Sequence, residues 1–552
     1  MRRPWLILAL ICIPVFIGSL DLTIVSAFLP EIIVKLELPV QSVVNDAAWV
    51  VTGYLLAYTV SMTFMGRVSD LVGRRRAYLI CLIIFMIGSF VVAEVDPDAK
   101  TGVAALIFSL LFRVQGVRPD PGSVALITII LGRVIQALGA GALVPVSLAL
   151  VGDLFPAAKR AQPLGVIGAI DTLGWVLGHL YGGVMVQLFN TYSAQFASLF
   201  ASLNLDWPPP DWRALFWINL PVSLIALLLT WWNLRGVPQA RGKGRFDFLG
   251  TILIVGALTA LVVGLGANIE TATSATQFSD IGGLPPYAAP VLIAAAVMFG
   301  LFILVELRVR DPLFDLRLFR QRNLSSGLAT NLFVGCCLMI GLVSVPILVN
   351  VRLPDASQLP QAALEVGILL SALTVPMALA AVPGGWLSER IGYHWATAFG
   401  LLLALIGFAA ISQTWTMDTA DGLIAVEMAL VGVGLGLTFS PISTSVINSA
   451  DEDKLGVASA LVIIMRLVGM TVSIAGLTAF ASQRLATLAA AALGPNVGDP
   501  YAAVDVYAKL TVQVLGEMGL VGAAICLIAL VPALMLRRSR TPEPVPEPGA
   551  GD

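Results

Sequence analysis

Residues 66–76 read GRVSDLVGRRR and lie between two long apolar segments, and a shorter version, GWLSERIG, recurs at residues 385–392. In both copies a glycine is followed by three residues, an acid, two residues and a second glycine. The second copy carries Glu389 where the first has Asp70, and it keeps one arginine, Arg390. Two such loops at matching points predict a duplicated bundle of membrane helices whose halves move against each other.

The composition indicates a membrane protein built of helices. Hydrophobic residues make up 58% of the 552 residues and charged residues 12%, whereas soluble domains carry about 25% charge. The apolar runs are ~20 residues long, enough to cross a bilayer core of ~30 Å, and they do not alternate as barrel strands do. The net charge of −2 gives no indication of a nucleic-acid partner. The five cysteines lie in apolar runs without metal-ligand spacing, so we expect no metal and no cofactor.

The hydropathy pattern predicts fourteen membrane spans. With the N-terminus inside, 22 of the 32 Lys and Arg residues fall on inner segments, as the positive-inside rule requires. A missed or invented span would scramble this separation, so we expect both termini to be cytoplasmic. The predicted spans are 5–29, 46–66, 77–95, 125–150, 163–189, 213–234, 247–267, 288–308, 325–350, 364–385, 394–413, 422–446, 456–481 and 513–537.

The count depends on Thr101–Gln115, whose apolar core is short for a crossing. Its apolar residues recur at helical spacing, as do Phe196, Leu199, Phe200 and Leu203 in a second outer link. We expect two amphipathic helices on the outer surface, within the links near 96–123 and 190–211. They would either pack against each other or be two unrelated loop helices.

The positions of the two loops predict how the chain is divided. The second loop joins spans 10 and 11, which correspond to spans 2 and 3 only if spans 7 and 8 are an extra pair. The predicted layout is therefore 6+2+6. It comprises a first bundle (1–234), a central insertion (235–312), a second bundle (313–537) and a disordered cytoplasmic tail (538–552) rich in Pro and Glu.

Several segments together resemble the fourteen-helix drug:proton antiporter branch of the major facilitator superfamily. The Gly66–Arg76 loop is similar to the loop motif between helices 2 and 3 of that superfamily, and residues 20–25 resemble the helix 1 motif of the branch. The helix 4 motif is matched by Arg133, Gln136, Gly139 and Gly141, and the glycine frame of the helix 5 motif by Gly174, Gly178, Gly182 and Gly183. The resemblance implies the major facilitator fold and proton-coupled drug efflux by alternating access.

Two positions depart from the pattern of the branch. His179 stands where the helix 5 motif has a proline, and Ala137 stands where glycine is usual. The first departure weakens the inference of antiport. A histidine titrates near neutral pH, so His179 could supply a proton-sensitive group in place of a kink.

Charged residues within the spans are candidates for proton coupling, because a charge in mid-membrane is costly. We expect Asp21, Arg133, Asp171 and His179 to lie at the transport cavity and to couple it to protons. Asp21 and Arg133 each lie eight residues from the outer end of their span, so an ion pair between them is possible. The positive charge of Arg133 would keep Asp21 deprotonated until a rearrangement or substrate arrival separates the two and lets Asp21 bind a proton. The alternative is a structural pair that fixes helix packing. Asp171, eight residues into the fifth span, is a second proton or cation site or a polar packing contact.

The repeated loop is a candidate conformational latch. Gly66 and Gly73 permit close approach of backbones, and Asp70 among the arginines could accept a helix N-terminus or pair with Arg74 or Arg75. A topology signal alone explains the arginines but not the acid or the glycines. Gly385, Glu389 and Gly392 would form the weaker second copy. Glycines 139, 141, 174, 178, 182 and 183 are expected to let neighbouring helices pack closely.

The function that follows from these features is proton-coupled export of small lipophilic or cationic compounds. The chain has no phosphate-binding loop, which argues against ATP as the energy source. A proton-coupled transporter of one specific metabolite and, more remotely, a non-transporting membrane sensor are the alternatives. We expect a monomer in a bacterial inner membrane, with the lipid bilayer, protons and a small molecule as its partners. The sequence identifies no periplasmic adaptor or outer-membrane partner.

Overall fold

The computed structural model describes residues 4–25, 29–36, 49–204, 207–236, 242, 244–266, 275–278, 285–352, 359–493 and 500–537. This part of the chain is helical throughout, without a strand. Its fourteen long helices are α1 (Pro4–Ile24), α2 (Trp49–Val72), α3 (Arg74–Ala93), α4 (Pro121–Leu154), α5 (Ala161–Thr191), α6 (Arg213–Asn233), α7 (Phe248–Leu265), α8 (Ala288–Glu306), α9 (Arg322–Val351), α10 (Leu359–Ile391), α11 (Tyr393–Thr414), α12 (Asp421–Ile447), α13 (Leu455–Leu493) and α14 (Pro500–Leu534). The predicted tail, residues 538–552, lies outside the described residues.

Each long helix coincides with one of the predicted spans, but not all meet the length and hydropathy expected of a membrane crossing. Among the described residues, twelve helices do, or up to thirteen if the bent pair Ala161–Gly178 and Tyr181–Thr191 in α5 is one span. Helix α2 is absent from that group, since tyrosine, threonine and serine residues along its length lower its hydropathy. Fourteen crossings, and the side on which the termini lie, therefore stay predictions.

The helices of the two halves pack in the same pattern. In the first half α1 packs on α5, α4 on α2 and α3, and α6 on α3. In the second half the contacts are α9 on α13, α12 on α10 and α11, and α14 on α11. Each contact thus has a counterpart eight helices later, while the 6+2+6 layout of membrane spans stays a prediction. We call α1–α6 the first bundle and α9–α14 the second bundle.

The two bundles meet along two seams that are related in the same way, α2 on α13 and α5 on α10. Each bundle has its own apolar core, with Phe85 and Leu143 in the first and Phe408 and Met428 in the second. The inserted helices α7 and α8 pack on each other, and α7 also contacts α2 and α13. The insertion therefore lies against one seam.

Capping residues define several helix ends. Asp120 accepts the backbone N–H of Ser123 at 2.8 Å, with Pro121 at the first position of α4, a combination that favours a helix start. Asp247 caps α7 in the same way through the N–H of Gly250. Helix α7 ends at Gly266, which adopts the left-handed conformation that glycine accepts without strain.

The two amphipathic helices of the outer links are present, Gly102–Gln115 and Ser193–Ser202. The first packs on the start of α4 through Ala104 and Val124. The second contacts α5 instead, through the rings of Phe196 and Phe189 at 6.1 Å. They belong to separate clusters, so packing against each other is the wrong alternative and the two are unrelated loop helices.

Candidate functional site

A cavity of about 90 Å³ lies between the two bundles. Its walls come from helices of both bundles, with one further side formed by α7 of the insertion. All but two of the lining side chains are uncharged, and most are apolar. The lining residues are Ser19, Leu22, Leu55, Leu56, Tyr58, Thr59, Met62, Asp171, Thr172, Trp175, Leu258, Leu261, Val262, Leu338, Met377, Ile463, Ile464, Arg466, Leu467, Val468, Met470 and Thr471.

The two charged residues of this cavity pair with each other across the bundles. Arg466 on α13 donates through Nη2 to Oδ2 of Asp171 on α5 at 3.3 Å, and Ser19 on α1 donates to Oδ1 at 2.6 Å. The side chains of Asp171 and Arg466 are 16% and 12% exposed, respectively. Asp171 thus does not lie alone as a free carboxylate. Arg466 falls within the predicted span 456–481, but nothing in the sequence pairs it with Asp171.

Asp21 and Arg133 form the ion pair that their equal depth in the sequence made possible. The guanidinium lies 3.8 Å above the ring of Tyr54 and also donates to Gln136 Oε1 at 2.8 Å. Asn219 on α6 donates to the second Asp21 oxygen at 3.1 Å. The network therefore joins α1, α2, α4 and α6 inside the first bundle.

This pair is sealed from the cavity, contrary to the expectation that it would line it. Asp21 is 1% exposed and Arg133 0%, and neither residue lines the space between the bundles. Of the four residues expected at the cavity, only Asp171 is found there among the described side chains. The side chain of His179 lies outside the described residues, so its predicted titration stays a prediction.

The acid of the repeated loop does reach the other half. Asp70, at the end of α2, accepts the backbone N–H of Gly456 at 2.9 Å and that of Val457 at 3.1 Å. These donors belong to the first turn of α13, where unpaired N–H groups and the helix dipole favour a carboxylate. Asp70 is fully buried. The predicted reception of a helix N-terminus is confirmed in geometry, and its role as a latch stays a prediction.

Arg74 reinforces the same contact. It pairs with Asp70 at 3.1 Å and with Asp153 on α4, and its Nη2 donates to the backbone carbonyl of Glu452 at 2.6 Å. Arg74 therefore links the first bundle to the segment that precedes α13. Arg75 was expected in the latch too, but it donates to the carbonyl of Trp231 at 3.1 Å, within the first bundle.

Close backbone approach explains the glycines at this seam. A Cβ on Gly66 would collide with the carbonyl of Gly456, and a Cβ on Gly456 would collide with that of Gly66. Gly73 has φ 101°, in the region that favours glycine, and it precedes the first residue of α3. Gly66 and Asp70 thus make the close contacts with α13, and Gly73 makes the turn into α3.

The second copy repeats this geometry, with Gln162 as the partner of its acid through both side chain and backbone. Gly392 has φ 90° before α11, and a Cβ on Gly385 would lie 2.8 Å from the carbonyl of Ala161. Glu389 is reached by the side chain of Gln162, whose Nε2 lies 3.4 Å from Oε2. Ala161 and Gln162 form the first turn of α5, so each loop meets the start of a helix in the other bundle.

Sequence reasoning missed a further contact at this end of the molecule. Arg160, between α4 and α5, donates to Asn448 Oδ1 at 2.9 Å and to the carbonyls of Phe155 and Gly152. Asn448 ends α12, so Arg160 bridges the bundles. Apart from Asp171–Arg466, the polar contacts between bundles that the described residues show lie at this arginine-rich end, which is therefore closed.

The remaining glycines of the helix 4 and 5 motifs mostly act as predicted, as close packing contacts within the first bundle. A Cβ on Gly139 would lie 2.5 Å from the carbonyl of Cys81, and one on Gly174 2.6 Å from that of Phe16. Gly141 and Gly178 likewise face the backbones of Tyr58 and Leu20. Gly183 is the exception, since a Cβ there would have no neighbour within 4 Å. Gly182 is a buried residue of α5.

The sequence matches the family model of the major facilitator superfamily over residues 11–474. The chain belongs to the major facilitator superfamily. Structures with the same fold include a proton:xylose symporter (14% identity, TM-score 0.53, 94% of each chain) and the human organic anion transporter MFSD10 (16% identity, TM-score 0.54, 95% of this chain and 100% of the other). At such identities the likeness shows the fold alone.

Nearer relatives among characterised proteins carry the name triacylglyceride transporter. One from Mycolicibacterium smegmatis is 31% identical over 543 residues, covering 95% of this chain and 85% of the relative. Another, from Mycobacterium tuberculosis strain H37Rv, is 30% identical over 555 residues, covering 96% and 94%. The chain is thus a multi-pass membrane protein of a transporter family, not an enzyme, and these relatives do not point to drug:proton antiport.

Proposed function

We propose that this protein exports neutral lipophilic molecules with acyl chains across a bacterial cell membrane, in exchange for protons and by alternating access. The observation that carries the proposal is the lining of the central cavity, which is apolar except for one internally neutralised ion pair. The names of the mycobacterial relatives agree with this class of substrate.

The cavity lining favours uncharged cargo over cations. A single carboxylate in an apolar cavity attracts organic cations. The carboxylate of Asp171, however, already accepts hydrogen bonds from Arg466 and Ser19. The pair has no net charge, so burying an ion beside it gains little and costs the ion its hydration. Apolar chains lose nothing comparable and gain contact with side chains such as Leu258 and Met377.

Asp171 is the proposed proton site. It lies at the surface of the cavity, whereas Asp21 is sealed inside the first bundle. Protonation of Asp171 would release Arg466 and thereby loosen a contact between the bundles. Proton binding and cavity opening would then be coupled through one ion pair, as antiport requires.

Alternating access follows from the closed arginine-rich end. The Asp70 and Arg74 contacts hold α2 against α13, and the cavity, at about 90 Å³, is too small for a lipid with acyl chains. Substrate entry therefore requires the bundles to separate. Both seams end at helix starts, where α13 meets Asp70 and α5 meets Glu389.

The test uses the full-length protein in liposomes loaded with a fluorescent triacylglycerol. We expect transfer out of the donor leaflet to accelerate when a proton gradient is imposed, and a protonophore to remove the acceleration. Asp171→Asn should lose the dependence on the gradient. The matched control is Asp505→Asn, an exposed acid paired with Lys509 near the start of α14, which should keep it.

A cationic dye in the same liposomes tests the competing function, drug:proton antiport. Gradient-driven movement of the dye without movement of the lipid would replace the proposed substrate class. Gradient-driven movement of the lipid in the opposite direction, into the leaflet that corresponds to the cytoplasmic side, would favour a symporter. Undiminished gradient dependence in Asp171→Asn would remove Asp171 from the coupling step.

A further inference from the structure

We propose a second binding site, for a single phosphate group, in a separate cavity at the arginine-rich end of the molecule. This cavity measures about 160 Å³. Because one water needs roughly 10–15 Å³ of such space, it has room for a phosphate group with some hydration. Its walls come from the end of α2, the segment between α8 and α9, and the start of α13.

Arg67 is the residue that points to an anion. It lines the cavity from α2 and is 7% exposed. Its Nε has no hydrogen-bond partner, and no carboxylate within the described part of the chain pairs with its guanidinium. A buried cation without a partner is costly. Such a group is stabilised by a ligand that brings both a negative charge and acceptor oxygens, and a phosphate brings both.

Two further cations face the same space, Arg310 from the inserted segment and Lys454 just before α13. Lys454 lies across the α2–α13 seam from Arg67, where it also pairs with Asp315 and Asp451. Cavities between membrane helices that present basic side chains are a recurrent form of site for lipid headgroups.

Three acids also line the cavity, and they limit the charge of the ligand. Asp315 is engaged by Lys454 at 3.1 Å, and Asp311 accepts the backbone N–H of Arg245 at 3.1 Å. Asp453 faces the cavity as well. With three cations and three acids the lining is close to neutral, so it suits a singly charged phosphodiester or phosphate ion rather than a polyphosphate.

Occupation of this site would favour the closed form of the arginine-rich end. Arg67 lies one helical turn before Asp70 on α2, while Lys454 lies two residues before Gly456, the residue that Asp70 binds. A phosphate held by both cations would connect the same two helices as the latch. By linkage, a ligand that binds the closed form more tightly shifts the population towards it.

The source of the phosphate is either a lipid headgroup of the inner leaflet or free phosphate, and the experiment separates them. Full-length protein is purified in a phosphate-free maltoside detergent. Its unfolding temperature is measured with inorganic phosphate, with dioleoyl phosphatidylglycerol, and with dioleoylglycerol, which has the same chains without the phosphate. We expect phosphatidylglycerol, or both phosphate compounds, to raise the unfolding temperature and dioleoylglycerol to leave it unchanged.

The variants are Arg67→Gln and Arg310→Gln, with Arg320→Gln as the control, an arginine of the same segment between α8 and α9 that does not line the cavity. Each cavity variant should bind phosphate about tenfold or more weakly, the loss expected for one charge-assisted hydrogen bond, whereas the control should match the parent protein. If Arg67→Gln does not fold, Arg310→Gln still decides the matter because its side chain is exposed.

Three results would overturn the site. They are an absence of response to both phosphate compounds in the parent protein, an equal response to dioleoylglycerol, and an undiminished response in Arg310→Gln and in any Arg67→Gln that folds. A response to phosphatidylglycerol alone assigns the site to a lipid, and a response to both assigns it to the phosphate group whatever its source.

Discussion

Asp70 and Gly456 lie 386 residues apart in sequence, yet the carboxylate of the first accepts the backbone N–H of the second at 2.9 Å. The contact is possible because Gly456 has no side chain, so that Gly66 and Asp70 on α2 can approach the first turn of α13. One hydrogen bond thus depends on the acid and both glycines. The seam can therefore be weakened electrostatically or sterically, with different substitutions.

Asp70→Asn tests the electrostatic part. Asparagine keeps the size and one acceptor but removes the charge at the helix N-terminus and one of the two acidic partners of Arg74, which keeps Asp153. We expect the closed form to lose about 2 kcal/mol, the scale of a hydrogen bond to a charged group. Spin labels across the seam should report a larger open fraction, and turnover should fall more than substrate affinity. Asp98→Asn, in the exposed pair with Lys100, is the control; equal loss of affinity and turnover would contradict the latch.

Gly456→Ala tests the steric part. The added methyl would overlap the carbonyl of Gly66, so α2 and α13 must separate, and overpacking of this kind costs ~1–3 kcal/mol. The closed form should again be depleted, this time without any change of charge. Gly476→Ala, on the same helix with nothing within 4 Å of the new methyl, should behave as the parent protein. The distance between spin labels across the seam is measured in both variants. An unchanged distance in Gly456→Ala would show that the seam accommodates the methyl group.

The latch illustrates what could be predicted from the sequence and what could not. Spacing alone identified Asp70 and its glycines as a unit, because the same pattern recurs at Glu389. It could not identify Gly456 or Arg160, since single glycines and arginines near helix starts are common in membrane proteins. The partner of a residue depends on how two bundles dock, and helical periodicity within each bundle does not contain that information.

The same limit applies to the charged residues within the membrane. Equal depth along two helices was enough to pair Asp21 with Arg133, because both belong to one bundle with predictable packing. Depth did not reveal that Tyr54 and Asn219 enclose the pair, and so the pair was wrongly expected at the cavity. Asp171 was placed at the cavity correctly, but its partner Arg466 comes from the other bundle.

Asp21→Asn should therefore act on stability more than on proton coupling. Arg133 is fully buried, and removing one partner of a buried ion pair costs ~3–5 kcal/mol. We expect a lower unfolding temperature and, in the protein that stays folded, gradient-dependent transport. The double variant Asp21→Asn with Arg133→Gln should recover part of the lost stability, because no uncompensated charge remains. Complete loss of coupling at an unchanged unfolding temperature would instead assign Asp21 to the proton pathway.

Glu389→Gln should have a smaller effect than Asp70→Asn, although the two acids hold equivalent places in the repeat. Asp70 accepts two backbone N–H groups of α13 and pairs with the buried Arg74. Glu389 accepts from Gln162, through the side chain at 3.4 Å and through the backbone N–H, but at a partly exposed position, where solvent weakens electrostatic contacts. Gly385 still packs on Ala161 at this second seam, so close packing rather than charge should hold it. Gly385→Ala should consequently open the α5–α10 seam more than Glu389→Gln does, as measured by labels on those helices. The reverse order would mean that the charge of Glu389, rather than close packing, holds this seam.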